Sequence, residues 1–219
     1  MILTSKLQFF ETNHQYRKNG EGYQSVTGFL SKFKPPFPKG VLAEKIAKKE
    51  GKTPDDILSK WDLNAEISRD YGNSIHRGIE YWIKYGEIPK TPHIKSAVEK
   101  FAKKYNREKM KTEIMVDNDE YKLVGTIDQL HILGKKRIKI TDVKTNGELT
   151  DKAYKKFLAP LNDLPLTKLN EYRLQLSTYK YLLELKGFTV ESIDLEHWNG
   201  EDYKTINLEP IDIKQLLKT

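Results

Sequence analysis

Two long segments of this chain carry their apolar residues on one helical face. One segment ends at Tyr85 and the other covers 167–186, and their stripes consist of Ile75, Ile79, Trp82 and Ile83, and of Leu169, Tyr172, Leu176 and Leu183. Helix start and stop signals predict shorter helices over 25–33, 41–50, 54–61 and about 92–106. The first half of the chain is therefore predicted to be largely helical.

Apolar and β-branched runs indicate the positions of the strands. They predict strands over 113–117, 121–133, 137–145, 190–197 and 204–208, a hairpin within 7–20 and a short final helix from 211. Prolines mark a stiff aromatic loop at 33–40 and an irregular stretch at 154–166. Helices, a three-strand meander, a helix and further strands are the order typical of an α/β fold with a central mixed β-sheet flanked by α-helices.

Neither an internal repeat nor a convincing linker divides the sequence, so we expect one domain over 1–219. Its parts would be an N-terminal hairpin and helical region (1–70), a core (71–186) and C-terminal strands with a helix (187–219). A chain of 219 residues is long enough to bury a sizeable hydrophobic core.

Composition excludes several classes of site and favours one class of partner. The formal charge of +7 favours a polyanionic partner, although a surface merely rich in lysine would give the same balance. The chain has no cysteine, which excludes disulfides, thiolate zinc sites and cysteine-ligated iron–sulfur clusters. No run approaches the roughly 20 apolar residues of a membrane span, and 1–10 lack the apolar core of a signal peptide. We therefore expect an intracellular protein that does not use a membrane.

The strand predicted over 137–145 ends in charge. Side chains two apart share a face of a strand, so Ile138, Ile140, Asp142 and Lys144 point the same way. The strand before it also ends in an acid, Asp128, and a short hairpin turn makes the two strands neighbours. Two close carboxylates destabilise a sheet unless a divalent cation lies between them, and this predicts a metal site for phosphate chemistry. The structural alternatives are a solvated acid at a strand end and a salt bridge from Lys144.

Two further polar groups lie on predicted helices. Gly72, His76 and Glu80 stack one turn apart beside the apolar stripe of their helix, and Gln175 and Tyr179 are spaced i, i+4 on another. An amide and a phenol one turn apart can orient a catalytic lysine or a phosphate. The structural alternatives are a histidine at the edge of the core and a polar border to it.

Taken in chain order, these residues resemble the PD-(D/E)XK nuclease superfamily, and its RecB-like branch in particular. That branch carries G-x-x-x-H, G-x-x-D, (D/E)-x-K and Q-x-x-x-Y, and the four patterns occur here at 72–76, 125–128, 142–144 and 175–179. The segment before 72 is also similar, more loosely, to phage and mitochondrial genome-maintenance exonucleases. The resemblance implies a restriction-endonuclease-like core with an N-terminal helical extension.

The resemblance also implies a role for each matched residue. His76, Asp128 and Asp142 would bind Mg²⁺ or Mn²⁺, helped by the backbone carbonyl of Val143. Lys144 would position the attacking water. The lysine and the DNA backbone would be supported by Gln175 and Tyr179. Glu80 and Glu113 are candidates for an outer shell, and no iron–sulfur cluster is expected.

The function that the resemblance implies is that of a metal-dependent DNA exonuclease. It would hydrolyse phosphodiester bonds at DNA ends or in single strands, in replication, recombination or repair, and an origin in a phage or mobile element would fit so compact a chain. The alternatives are a structure-selective endonuclease, a nucleic-acid-binding or assembly subunit that does not cleave, and a CRISPR-adaptation partner that acts only within a complex. The sequence indicates no particular protein partner.

Basic and aromatic residues after the strand 137–145 are candidates for contacts with DNA. They are Lys152, Tyr154, Lys155, Lys156 and Phe157, and a combination of this kind suits single-stranded bases. Phe33 and Phe37 in the proline-rich loop are candidates for a wall or gate at a strand end. The alternatives are a solvated lysine face and aromatic rings that pack in the core.

Overall fold

The computed structural model describes residues 7–10, 15–147, 149–150, 153 and 155–218. Its α-helices are α1 (Val26–Ser31), α2 (Lys39–Glu50), α3 (Pro54–Tyr85), α4 (Pro92–Lys104) and α5 (Lys168–Leu185). Its strands are β1 (Gln8–Phe10), β2 (Gln15–Lys18), β3 (Glu21–Ser25), β4 (Met110–Asn118), β5 (Leu123–Ile132), β6 (Arg137–Lys144), β7 (Thr189–Trp198) and β8 (Tyr203–Leu208). Short 3₁₀ turns lie at Arg107–Lys109 and Leu216–Lys218.

The described strands form a single mixed sheet. The order is β1-β2-β3-β5-β6-β7-β8, and β4 pairs with β5 beside this path. The pairs β3–β5 and β6–β7 are parallel, while the other pairs are antiparallel. The prediction of an α/β fold with a central mixed sheet flanked by helices is confirmed.

One edge of β5 is shared by two strands. Antiparallel β4 runs along the opposite edge of β5 from Leu123 to His131. On the shared edge, β3 pairs with Leu123 and Val124, and β6 pairs with 129–132. Residues 125–128 of β5 therefore have no ladder partner on that edge among the described strands, and the sheet opens there.

Helices cover both faces of the sheet. Ile138 and Ile140 of β6 pack in a core with α1 and α5, whereas Val143 of the same strand packs with α3 and α4. Because side chains alternate along a strand, these two cores lie on opposite sides of the sheet. Residues 140–143 of β6 are buried on both faces of the sheet, and this stretch includes Asp142.

The prediction of two helices over 54–85 is wrong, because α3 is continuous. Its predicted start is confirmed: Thr53 and Asp56 form a reciprocal capping box, with Asp56 N donating to Thr53 Oγ1 at 3.2 Å. Gly86 ends it with a left-handed φ of 75°. The chain from 55 to 71 contains neither glycine nor proline, so nothing interrupts the helix at the expected break. Its 32 residues extend about 48 Å.

The two halves of α3 have different surroundings. The first turns pack on α2 through a small cluster around Ala43, Ala47 and Ile57. The second half packs through Ile75 and Ile79 against α4 and the sheet. Between them, every residue from 62 to 70 is exposed. Within the described ranges, no helix has the length and apolar character needed to cross a bilayer.

The final helix predicted from 211 is largely wrong, since the structure has only a 3₁₀ turn at Leu216–Lys218 there. The predicted hairpin within 7–20 is extended to three strands, with the turn at Asn19 and Gly20 joining β2 to β3. Asn19 and Gly20 both take positive φ, which suits a tight hairpin turn.

His131 makes stability depend on pH. It is buried against the ring of Tyr105, its Nε2 has no hydrogen-bond partner among the described residues, and burial lowers its pKa to about 4. Between about pH 6.5 and about pH 4, His131 is protonated in the unfolded chain but neutral in the folded chain. We expect wild type to lose roughly 3 kcal/mol of stability relative to His131→Leu between pH 7 and pH 4. Urea unfolding at each pH measures this, and parallel pH profiles would contradict it.

Candidate active site

Two carboxylates meet where the sheet opens. The ladder between β5 and β6 ends at the pair Gln129 and Thr141, and the next residues along each strand are Asp128 and Asp142. The two carboxyl groups are close enough to influence each other's pKa. The prediction that the strands carrying these acids are neighbours is confirmed.

His76 reaches Asp128 from α3. Its Nδ1 lies 3.0 Å from Asp128 Oδ2. Burial opposes charge on both side chains, but their hydrogen bond and mutual attraction outweigh it, so the pKa of His76 is raised and that of Asp128 is lowered. Both shifts favour the charged forms of the pair.

Asp142 is 3% exposed and forms an ion pair with Lys144. The lysine Nζ lies 2.6 Å from Asp142 Oδ2, which is an ion-pair distance. This buried oxygen nevertheless has no partner in hydrogen-bonding geometry among the described residues. Burial raises the pKa of Asp142 to about 6, against the attraction of Lys144 and with the help of the negative charge on Asp128. Burial also opposes the charge of Lys144, but the two carboxylates raise its pKa overall.

The α5 helix forms one wall of the opening. Tyr179 is buried, its hydroxyl accepts from Gln175 Nε2 at 2.9 Å, and its ring lies against Gly125. A Cβ at Gly125 would overlap that ring. Glycine is required here because an aromatic side chain of the opposite helix occupies the space that any other side chain would need. Burial raises the pKa of Tyr179, so its hydroxyl stays protonated.

Tyr172 is a site residue that the sequence analysis assigned only to the buried stripe of its helix. Its ring centroid lies 4.8 Å from Lys144 Nζ, and its hydroxyl donates to Asn146 Oδ1 at 3.3 Å. A cation over an aromatic face is stabilised by the ring quadrupole. The signal was present in the sequence, since Tyr172 lies two turns before Tyr179 on the same helical face.

Close packing explains both glycines of the His76 helix. A Cβ at Gly72 would lie 3.0 Å from Thr145 Oγ1, immediately after β6. A Cβ at Gly78 would overlap Ile94 of α4 and press on Val98. These contacts seat α3 against the end of the sheet and set the position of His76.

Glu113 brings a third carboxylate close to the opening. It lies on β4 at the cross-strand position opposite Asp128, between the ladder pairs Thr112–Gln129 and Ile114–Ile127, and takes a left-handed φ of 54°. Although its side chain is exposed, partial desolvation and the charges of Asp128 and Glu80 raise its pKa to about 7. Glu80 itself pairs with Lys84 at 2.5 Å. Both acids therefore lie beside the four central residues of the site, which are His76, Asp128, Asp142 and Lys144.

The donor types fit a hard divalent cation, but the donors are not assembled around one. In the described part of the chain, no group of three or more His, Asp or Glu side chains has an arrangement that could hold a metal ion. His76 and Asp128 pair with each other, and Asp142 pairs with Lys144. Carboxylate oxygens and an imidazole are nevertheless ligands that Mg²⁺ and Mn²⁺ accept. Val143, whose carbonyl was an expected ligand, lies between Asp142 and Lys144.

The candidate DNA contacts have different outcomes. Phe37 is 67% exposed, and Lys155 and Lys156 are exposed. Lys152 and Tyr154 lie outside the described residues. Phe33 and Phe157 are both buried in the core on the α5 side of the sheet, which agrees with the packing alternative and not with contacts to DNA.

Replacing Gly125 by alanine should destabilise the fold by about 1–3 kcal/mol, because the new methyl group must displace the Tyr179 ring. The cost should fall in a Tyr179→Leu background, where the ring is absent. Urea unfolding of the two single variants and the double variant measures this coupling. Gly147→Ala is the matched control, since a Cβ there meets no atom of the described residues within 4 Å. Equal costs in both backgrounds would contradict the assigned contact.

Glu113→Gln should stabilise the protein increasingly as pH rises from about 4.5 to about 7, in EDTA. Across this range the unfolded chain loses a proton that folded Glu113 retains, since burial and neighbouring charge raise its pKa. The Tm difference between variant and wild type, measured at half-unit pH steps, tests this. Glu66→Gln, which removes the same charge from the exposed stretch of α3, should show no such trend.

Comparisons with known proteins give distant structural likenesses only. No model of a known protein family matches the chain, and none of the curated proteins matches it. The chain is similar to the solved structure of SSO0001, with 15% identity and a TM-score of 0.41 over 92% of this chain and 74% of that one. It is also similar to a "putative exonuclease" from Eubacterium rectale, with 13% identity and a TM-score of 0.36 over 90% and 74% of the two chains. Likenesses at these scores identify no family for this chain.

Proposed function

We propose that this protein is a metal-dependent deoxyribonuclease of the PD-(D/E)XK type. One observation carries the proposal: Asp128, Asp142, Lys144 and His76 converge at the opening of the sheet, from two strands and a helix. Pairs of buried acids beside a lysine are costly to fold around, because each charge must be desolvated. A catalytic role accounts for that cost better than a structural one.

The residues that would hold Mg²⁺ or Mn²⁺ are Asp128, Asp142, His76 and the backbone carbonyl of Val143. The buried Oδ2 of Asp142, which faces the Lys144 ammonium, has no hydrogen-bond partner among the described residues, and Asp128 lies on the neighbouring strand directly after the last ladder pair. A divalent cation supplies Lewis acidity, which makes a water molecule more acidic and offsets charge on a phosphate. His76 and Lys144 would give up part of their present contacts with the acids.

Lys144 acts as a cation and hydrogen-bond donor. Its raised pKa keeps the ammonium protonated at neutral pH, so it does not serve as a general base. It orients the attacking water and offsets the charge that develops on the phosphate. The ring of Tyr172 and the carboxylate of Asp142 restrict where the ammonium can lie.

The proposed substrate is DNA, at ends or in single strands, in replication, recombination or repair. A formal charge of +7 and the exposed Lys155, Lys156 and Phe37 support a polyanionic substrate with accessible bases. In-line hydrolysis would leave a 5′-phosphate and a 3′-hydroxyl, as the family resemblance implies. A structure-selective endonuclease uses the same four residues and is the second candidate.

A cleavage time course on end-labelled single-stranded, duplex and circular DNA tests the activity. We expect loss of linear DNA in Mg²⁺ or Mn²⁺, none in EDTA, and none with Asp142→Ala. Spared circles would establish an exonuclease, and the label released first would give its polarity. Cut circles would establish the endonuclease. Absence of cleavage in every metal would overturn the proposal in favour of a binding or assembly subunit.

Lys144→Ala should reduce cleavage by at least roughly 10²-fold, because it removes charge stabilisation at the phosphate. DNA binding, measured by fluorescence anisotropy in EDTA, should persist. Lys135→Ala is the matched control, since it removes the same charge from the exposed turn at the start of β6. Loss of binding together with cleavage would make Lys144 a binding contact, and unchanged cleavage would exclude its assigned role.

A further inference from the structure

A cavity of about 430 Å³ opens beside the end of β6. Its lining comes from α3, from the segment that follows β6, and from the end of β7 with the two residues after it, namely Tyr71, Thr145, Asn146, Gly147, His197, Trp198, Asn199 and Gly200. None of these residues belongs to the four central residues of the candidate active site. The volume lies within the range of roughly 300–1,000 Å³ typical of small-ligand sites.

The cavity adjoins the candidate active site through shared elements. His197 is the ladder partner of Lys144 across β6 and β7. Thr145 directly follows Lys144 and contacts Gly72 of α3. Tyr71 precedes Gly72 and lies on the same helix as His76. The cavity therefore lies next to the candidate active site, along the end of β6 and beside α3.

The polar groups of the lining leave defined hydrogen-bonding capacity. Trp198 Nε1 donates to the Tyr71 hydroxyl at 2.9 Å, so the hydroxyl keeps its own proton for donation. His197 Nε2 lies 2.7 Å from Asn146 O, and because a carbonyl only accepts, the proton is on Nε2 and Nδ1 is an acceptor in the neutral ring. Asn146 Oδ1 accepts from Tyr172, which leaves its amide NH₂ as a donor.

We propose that this cavity binds the nucleotide next to the scissile phosphodiester, with its base among the aromatic and glycine walls. This inference rests on the proposed nuclease function and assigns its flanking subsite. Two donors, from Tyr71 and Asn146, suit phosphate or carbonyl oxygens, and the His197 acceptor suits a base N–H. A cavity with largely apolar walls and a few directed polar groups is the kind that holds a small heterocycle.

Binding of dTMP to the whole chain in EDTA tests the subsite without cleavage. The chain has three tryptophans, so a ¹⁵N spectrum shows three indole N–H signals, and Trp198→Phe identifies the one that reports on the cavity. We expect dTMP to shift the Trp198 signal at millimolar concentration, and inorganic phosphate to shift it less. Tyr71→Phe should weaken the apparent affinity at least fivefold. Tyr81→Phe, an exposed tyrosine on the same helix whose hydroxyl bonds Glu87, should leave it unchanged.

In the cleavage assay, Tyr71→Phe should raise KM severalfold while kcat stays near wild type, a split that a merely structural role would not produce. Its Tm should fall somewhat, because the variant removes the acceptor of the buried Trp198 Nε1–H. Asn146→Ala replaces it if Tyr71→Phe does not fold. An absent dTMP shift, an equal shift from phosphate alone, or a shift unaltered by both variants would overturn the subsite. If dTMP binds but DNA is never cut, the nuclease proposal fails and the cavity remains a nucleotide site. If DNA is cut but dTMP does not bind, the subsite proposal fails and the nuclease proposal stands.

Discussion

The division of one edge of β5 between two strands is the constraint on which the rest of this structure depends. Parallel β3 takes the first residues of that edge and antiparallel β6 takes the last, so 125–128 lie in an opening of the sheet. A closed sheet would place Asp128 and Asp142 opposite each other in a regular ladder, where like charges are destabilising. The opening instead gives their carboxyl groups room for partners from both faces. Helix α3 reaches it from one face with His76, and α5 fills the other with Tyr179.

The charges around the opening are mutually dependent. Each acid has one basic partner, His76 for Asp128 and Lys144 for Asp142, and each pair lowers the cost of burying the other. The basic partners do not fully offset the cost of burying the acids, because burial still raises the pKa of Asp142 and the pKa of the nearby Glu113 is raised as well. Desolvation and the neighbouring carboxylates therefore oppose ionisation of these two acids even with the basic partners in place.

The site is held by rigid elements. Its strands are buried on both faces, and the second half of α3 is fixed by close packing at Gly72 and Gly78. Local stability follows buried contacts, so this region should be among the least mobile of the fold. By contrast, the stretch of α3 from 62 to 70 is exposed on every side and connects the small α2 cluster to the body. Rigidity is thus concentrated where the four central residues need fixed positions.

Local sequence patterns are sufficient to place the features that depend on near neighbours in the chain. The caps at Thr53 and Gly86, the alternation along β6 that puts Asp142 and Lys144 on one face, and the i, i+4 pair of Gln175 and Tyr179 follow from local geometry. The prediction of two helices over 54–85 failed because no residue breaks α3. The contact of Tyr172 with Lys144 and the left-handed backbone of Glu113 were not predicted, and only the structure chose between DNA contact and core packing for Phe157. No local pattern predicts that β3 and β6 share an edge of β5. Pairing of β3 with β5 joins residues about a hundred positions apart, and it depends on the packing of the whole sheet.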